Sequence, residues 1–209
     1  MLQYLLARRA GRQTFAKLFV WAPGEQCGKY PGGGTDILST AVRPARDEAA
    51  EYYFKYIDLV PDGDICARLD AQRTEAINFL RTIPAEQSGH RYAPDKWSVS
   101  EVVAHLNDCE RLFAFRAFWF ARGFESPLPS FDQEIAAKQA AAEDRPWSSH
   151  IDEFGTLRGS TVELFSHLPP AAWQRRGIAS ENPFTVRALA YIAAGHISHH
   201  LRILRERYL

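Results

Sequence analysis

Ala194-Gly195-His196-Ile197-Ser198-His199-His200-Leu201 sits inside a run from Thr185 to Leu209 that reads as one amphipathic helix. Thr185 is a good N-cap residue and comes just after the helix-disfavouring pair Asn182-Pro183. Val186, Leu189, Ala193, His196, Ile197, His200, Leu201 and Leu204 then recur at three-four spacing. Arg202, Arg205, Glu206 and Arg207 fall mostly off that stripe, and the basic residues suit the C-terminal end of a helix dipole. His196 and His200 therefore share the apolar face, one turn apart.

A buried imidazole needs partners for its ring nitrogens, and two in one stripe need several. One divalent ion satisfies a nitrogen on each, and His-x-x-x-His on a helix aims both at one point. Paired core histidines are common without a metal, so the pair acquires meaning only with a third ligand. His199 is about 100° round from His200. It is expected beside the site or exposed, with replacement of a neighbouring ligand as the alternative.

The chain has 209 residues, 46% hydrophobic and 24% charged, ordinary for one globular domain with or without an appendage. Lys+Arg and Asp+Glu balance at 25 each, which argues against a generic nucleic-acid surface; Arg175-Arg176 and the terminal arginines are too few to make one. Cys27, Cys66 and Cys109 form no CxxC pair, so a reducing cytoplasm is expected. No apolar run approaches the ~20 residues of a membrane span. Arg8, Arg9 and Arg12 precede the apolar run 18–22, which is shorter than the core of a signal peptide.

Residues 1–44 mix basic residues with Pro23, Pro31, Pro44 and the run Gly32-Gly33-Gly34, without sustained periodicity. They read as an N-terminal extension, disordered or the product of a start codon placed too early; an arm anchored by Phe19 and Trp21 is the alternative. Residues 45–209 read as the folded domain. An aromatic lead-in, 48–60, is expected to pack across helix ends. Asp64 then caps a first helix with Ile65, Leu69, Ile77 and Leu80 inside and Gln72, Arg73 and Glu75 mainly outside; Pro84 stops it. Ser98-Val99-Ser100-Glu101 is a capping box that opens a second helix, with Val102, His105, Leu106, Cys109, Phe113 and Phe120 near one stripe. His105 thus points into the core. Glu101 and Asp108 lie one turn either side of it, as orienting carboxylates or as partners of surface arginines such as Arg111.

Phe113, Phe115, Phe118, Trp119, Phe120 and Phe124 make the end of this helix apolar on more than one face, fitting a core, a subunit interface or a pocket wall. Residues 123–147 form a long crossover with a short helix at 132–143. A third long helix, 148–168, carries Gly155 and Gly159, which permit close packing; His150 and His167 at its ends are expected to be exposed or capping. Residues 173–184 read as a loop. Four long amphipathic helices joined by polar connections predict an all-α four-helix bundle with a long crossover connection. His105 from the second helix would meet His196 and His200 from the fourth. Three neutral imidazoles leave open positions, as catalytic zinc sites do, and nickel and iron(II) share the preference for nitrogen donors.

The run Tyr92-Ala93-Pro94-Asp95-Lys96-Trp97-Ser98-Val99-Ser100-Glu101-Val102-Val103-Ala104-His105-Leu106-Asn107-Asp108 resembles the second-helix signature of the DinB-like superfamily. Ala194-Gly195-His196-Ile197-Ser198-His199-His200-Leu201-Arg202-Ile203-Leu204 resembles its fourth-helix signature, and Phe131-Asp132-Gln133 with residues 183–190 fits a subgroup. The resemblance covers about residues 47–209. It implies a four-helix bundle, often a homodimer, in which one histidine of the second helix and His-x-x-x-His of the fourth bind one divalent metal. Here these are His105, His196 and His200. Zinc is the first expectation, with nickel or iron as alternatives.

Relatives include thiol-dependent S-transferases and a thiol-dependent isomerase. The resemblance therefore implies a small-molecule substrate, with a low-molecular-weight thiol or water activated at the metal; the charge balance and the lack of a long apolar run predict no nucleic-acid or membrane partner. Glu101, Asp108 and His199 are the candidate proton relays. The competing reading is a metal-binding or purely structural dimeric bundle that serves as an interaction protein without turnover.

Overall fold

Each long helix begins where its sequence supplies a cap. The structure, a computed structural model, describes residues 42–209; the reading of residues 1–44 as an extension lies, but for 42–44, outside the described residues. A 3-10 turn (Glu51–Tyr53) leads into the short helix α1 (Phe54–Ile57). Helix α2 (Ile65–Arg81) is capped by Asp64, whose carboxylate accepts from the Cys66 and Ala67 amides. Helix α3 (Val99–Ala121) opens on the full capping box: the Glu101 amide donates to Ser98 Oγ at 3.2 Å, and the Ser98 amide to the Glu101 carboxylate at 2.8 Å. Helix α4 (Gln133–Gln139) lies in the crossover and is capped by Asp132. Helix α5 (Trp147–Ser166) starts behind Pro146. Helix α6 (Val186–Ile203) is capped by Thr185 and runs on as a π-type turn, Leu204–Tyr208.

The four long helices make a bundle in which α3 packs on α5 and α6, and α2 packs on the same two. Consecutive helices α2 and α3 therefore lie diagonally, as do α5 and α6. The 17-residue connection 82–98 provides the reach for the diagonal step. Gly155 and Gly159 admit side chains of α2 onto α5: a Cβ on Gly155 would lie 3.0 Å from Ile77 Cδ1, and one on Gly159 would lie 3.2 Å from the Arg73 guanidinium carbon. No helix among the described residues is long and apolar enough to cross a membrane.

The all-α expectation needs correction at residues 173–184. Strands β1 (Arg176–Ala179) and β2 (Asn182–Thr185) form an antiparallel hairpin there. Ser180 and Glu181 both take positive φ, 49° and 60°, the conformation that matches a two-residue turn to strand twist. The pair Ser-Glu lacks the Asn-Gly signal that betrays such turns, and Pro183 argues against a strand. The hairpin is an assembly point: Leu128 of the crossover bridges Ala179 in parallel, and Ala49 bridges Phe184.

The lead-in lies on the middle of α6 rather than over helix ends. A Cβ on Gly195 would fall 2.0 Å from the Tyr56 carbonyl oxygen, so only glycine lets α1 approach this closely. The buried Glu48 carboxylate fixes the start of the segment by accepting from Thr185 Oγ1 (2.7 Å) and Arg187 Nε (3.0 Å). In an unobstructed helix, Gly195→Ala would add about 1 kcal/mol of helix propensity. Here the clash with backbone outweighs that gain, and a net loss of about 1–3 kcal/mol is expected from overpacking. The urea midpoint measures it; an unchanged or raised midpoint would show that α1 does not seat on Gly195.

Two other expectations are overturned. Gln72 is buried, not outside, and so is His150, whose Nε2 lies 2.9 Å from the Ala142 carbonyl. Both sit where polar groups of neighbouring segments meet them inside the bundle, which a one-helix hydrophobicity pattern does not register.

Candidate metal centre

Helices α3 and α6 pack face to face, and their apolar stripes carry three histidines into one place. His105, His196 and His200 each offer a ring nitrogen, and the three atoms lie within 4.8 Å of one another. The His105 and His196 Nε2 atoms are 3.2 Å apart. Ring centroids are 5.0 Å apart for His105–His196 and for His105–His200, and 4.5 Å for His196–His200. His105 and His196 are buried, and His200 is half-buried. The sequence stripe thus converges as its spacing predicts.

The surroundings keep these rings neutral. Burial pushes the His105 pKa down to about 4. Burial, then the neighbouring His105, His199 and Lys55, push His200 down to about 3. Burial and the adjacent histidines hold His196 well below its ordinary value. Neutral imidazole is the ligating form. Two nitrogens each ~2.05 Å from a tetrahedral ion stand ~3.3 Å apart, close to the 3.2 Å found between His105 and His196. The donor set and spacing fit a divalent ion.

Apolar and aromatic groups fix the rings. Trp97, immediately before the capping box, lies 4.8 Å from the His105 ring, while Tyr56 and Phe113 meet His196 at 5.2 and 5.6 Å. Cys109 Sγ lies 3.7 Å from His105 Nδ1 and 3.6 Å from its Nε2. Burial raises that thiol to about 12, so it is a neutral neighbour rather than a thiolate.

The candidate relays separate. Glu101 caps α3 and pairs with Arg91; burial raises its pKa, but Arg91 and the Ser98 amide outweigh this and hold it low. Asp108 lies 3.7 Å from Arg111 and is raised mainly by burial. Neither carboxylate hydrogen-bonds a histidine of the cluster among the described residues. His199 is half-buried, with its ring 5.0 Å from His200 and 5.4 Å from Tyr56.

A cleft of about 270 Å³ reaches the cluster from the side of His200. Its walls are Tyr92, Trp97, Val102, Ile203 and Tyr208, with Lys96, Asp95, Gln133 and Glu134 at the polar positions. Single-sequence reasoning missed this role for the crossover, since nothing local says that α4 turns its first residues toward another helix's end.

A sequence model of the DinB superfamily matches residues 68–204. Comparison with curated proteins finds no match. Among solved structures, YfiT from Bacillus subtilis, described as a probable metal-dependent hydrolase with an unusual four-helix bundle topology, is similar with a TM-score of 0.59 and 18% identity, over 79% of this chain and 90% of that one. A mycothiol-dependent maleylpyruvate isomerase is similar with a TM-score of 0.57 and 10% identity, over 66% of this chain and 58% of that one. The chain thus spans under two thirds of the isomerase's length. At these identities the likeness establishes the fold.

Proposed function

The chain belongs to the DinB superfamily, and from that premise we propose that it is a metal-dependent enzyme in which His105, His196 and His200 hold one divalent ion, zinc first, with nickel or iron as alternatives. The observation that carries this reading is the convergence of three neutral histidines, one of which, His200, lines an open cleft. When bound, such an ion lowers the pKa of a coordinated water or thiol and holds it as a nucleophile at neutral pH.

The chain's own residues supply the rest. Burial between α3 and α6 keeps the imidazole lone pairs free of protons. Trp97, Phe113 and Tyr56 fix ring orientation by contact, and Val102, Trp97 and Ile203 form the drier wall of the approach. Polar groups of the lead-in to α3 and of α4 border the mouth, suited to a small polar or amphipathic substrate. Of the three candidate relays, only His199 has its side chain against a histidine of the cluster, which supports it as the candidate to accept a proton from a bound nucleophile.

A low-molecular-weight thiol is the preferred nucleophile, because the structurally similar isomerase is described as mycothiol-dependent; water, as in a hydrolase, is the alternative. The exposed Phe115, Phe118 and Phe124 form an apolar surface suited to a second copy of the chain. The free thiols Cys66 and Cys109 accord with the cytoplasm.

Elemental analysis of untagged protein purified without chelators tests the site. About one metal equivalent per chain is expected in the wild type, and loss of nearly all of it in His196→Ala/His200→Ala. Wild-type protein that stays metal-free after incubation with zinc, nickel and iron(II) would overturn the reading and favour a non-catalytic bundle. If metal is bound, metal-dependent turnover of thiols against electrophiles, beside ester and amide hydrolysis, separates the two nucleophiles.

A further inference from the structure

The bundle contains two buried arginines, and they are treated differently. Arg158 is paired in full: Nε and Nη2 donate to the two oxygens of Glu110 at 2.8 Å each, and Nη1 donates to Gln72 Oε1 at 2.7 Å. Arg116, only 2% exposed, has no carboxylate partner among the described residues. Its Nη2 donates to the Pro129 carbonyl at 3.2 Å and to Ser180 Oγ at 2.8 Å, the Tyr53 hydroxyl lies beside it, and its Nε–H has no acceptor. A buried guanidinium left with neutral oxygens and an idle N–H is costly, and proteins ordinarily satisfy it with an anion.

The position of Arg116 is as telling as its pairing. It lies on α3 eleven residues after His105, three nearly whole turns, so both residues lie on one face of the helix about 16 Å apart along the axis. Helical side chains lean toward the N-terminus, which brings the guanidinium toward the histidine end. Cys109 and Phe113 occupy the same face between them. What covers Arg116 is thin: Pro129 is exposed, and Ser180 and Tyr53 are half-buried. Three separate segments (the crossover, the hairpin turn and the lead-in) contribute one neutral oxygen each.

We propose that Arg116 is an anion receptor, binding a carboxylate of a small molecule. The planar fork of guanidinium matches the two oxygens of a carboxylate, with Nε and one Nη as the donor pair. Tyr53 and Ser180 flank the site with hydroxyls that can turn to donate. The receptor does not rest on the metal-centre reading.

The test is a titration of the full chain with succinate, acetate and inorganic phosphate at constant ionic strength, with chloride as the reference. The reporter is the NMR signal of the Arg116 Nε–H, assigned by its loss in Arg116→Lys. A saturable shift with a carboxylate or with phosphate is expected. Followed by the backbone amide signals of Tyr53 and Ser180, which remain in the variant, Arg116→Lys should weaken binding about 10- to 100-fold, as loss of a charge-assisted bidentate pair does. The same titration on His196→Ala/His200→Ala should retain the shift, so a failed metal centre and a failed receptor give different results. A signal that moves no more with any of the three anions than with chloride would overturn the proposal, as would unweakened binding in Arg116→Lys. If Arg116→Lys does not fold, Tyr53→Phe supplies the assignment by perturbing the same signal, and the wild-type titration still decides.

Discussion

Arg158→Ala is expected to cost about 3–5 kcal/mol, a large part of the whole stability margin of a domain this size. The substitution leaves the Glu110 carboxylate buried with no countercharge and removes the donor to Gln72 Oε1. The damage spreads because these groups belong to four helices. Glu110 is on α3, Arg158 on α5 and Gln72 on α2, and Gln72 Nε2 donates to the Ala194 carbonyl and to Ser198 Oγ on α6, both at 2.9 Å. The network therefore grips α6 on either side of His196. Charge pairs of this kind contribute less than their Coulomb energy, since both ions lose water; what is expensive is removing one partner. Arg158→Met/Glu110→Leu should accordingly recover much of what Arg158→Ala loses. Urea denaturation of the three proteins checks this. A double variant as unstable as the single one would show that the stranded Glu110 charge is not the source of the loss.

The same network marks the boundary of what is legible in one sequence. Helix starts are local chemistry, so Asp64, the Ser98–Glu101 box and Thr185 each appear as caps where the sequence places them. The convergence of His105 with His196 and His200 is nearly as legible, because each histidine occupies an apolar stripe and buried imidazoles need partners. Gln72, Arg158 and His150 are illegible for the opposite reason. A polar residue within a helix reads as surface unless its partner is known, and their partners lie 122, 48 and 8 residues away. The hairpin at residues 176–185 escapes because its turn carries Ser180-Glu181 rather than glycine or asparagine, and its left-handed backbone is fixed by tertiary contacts with Leu128 and Ala49. The diagonal placement of α2 and α3 is a property of how four faces fit together, which no single face specifies.

Acid unfolding of the metal-free protein should begin unusually early, near pH 6.5, and be led by the buried histidines. His105 has an ordinary value of 6.5 and is held at about 4 by burial; His200 is held at about 3. The folded pKa is the lower one, so between the two values the unfolded chain binds more protons, and stability falls as pH drops through that window. His105 alone contributes a loss of about 3 kcal/mol by pH 4, and His200 acts in the same direction. The carboxylates held low by arginines, Glu48, Glu101 and Glu153, add their loss only below about 4.5, the ordinary value for glutamate. The upper part of the window thus isolates the histidines, and His105→Phe should flatten the slope of stability between pH 6.5 and 4.5. A bound divalent ion opposes the trend by binding the folded state alone. Protons compete poorly for lone pairs whose pKa is near 4, so the folded protein should retain its ion until the bundle itself opens. Metal release and loss of helical circular dichroism are then one transition when followed together from pH 7 to 3. Release near pH 6 with the helices intact would show that the rings titrate as ordinary exposed histidines, which the packing of Trp97, Phe113 and Tyr56 around them does not allow.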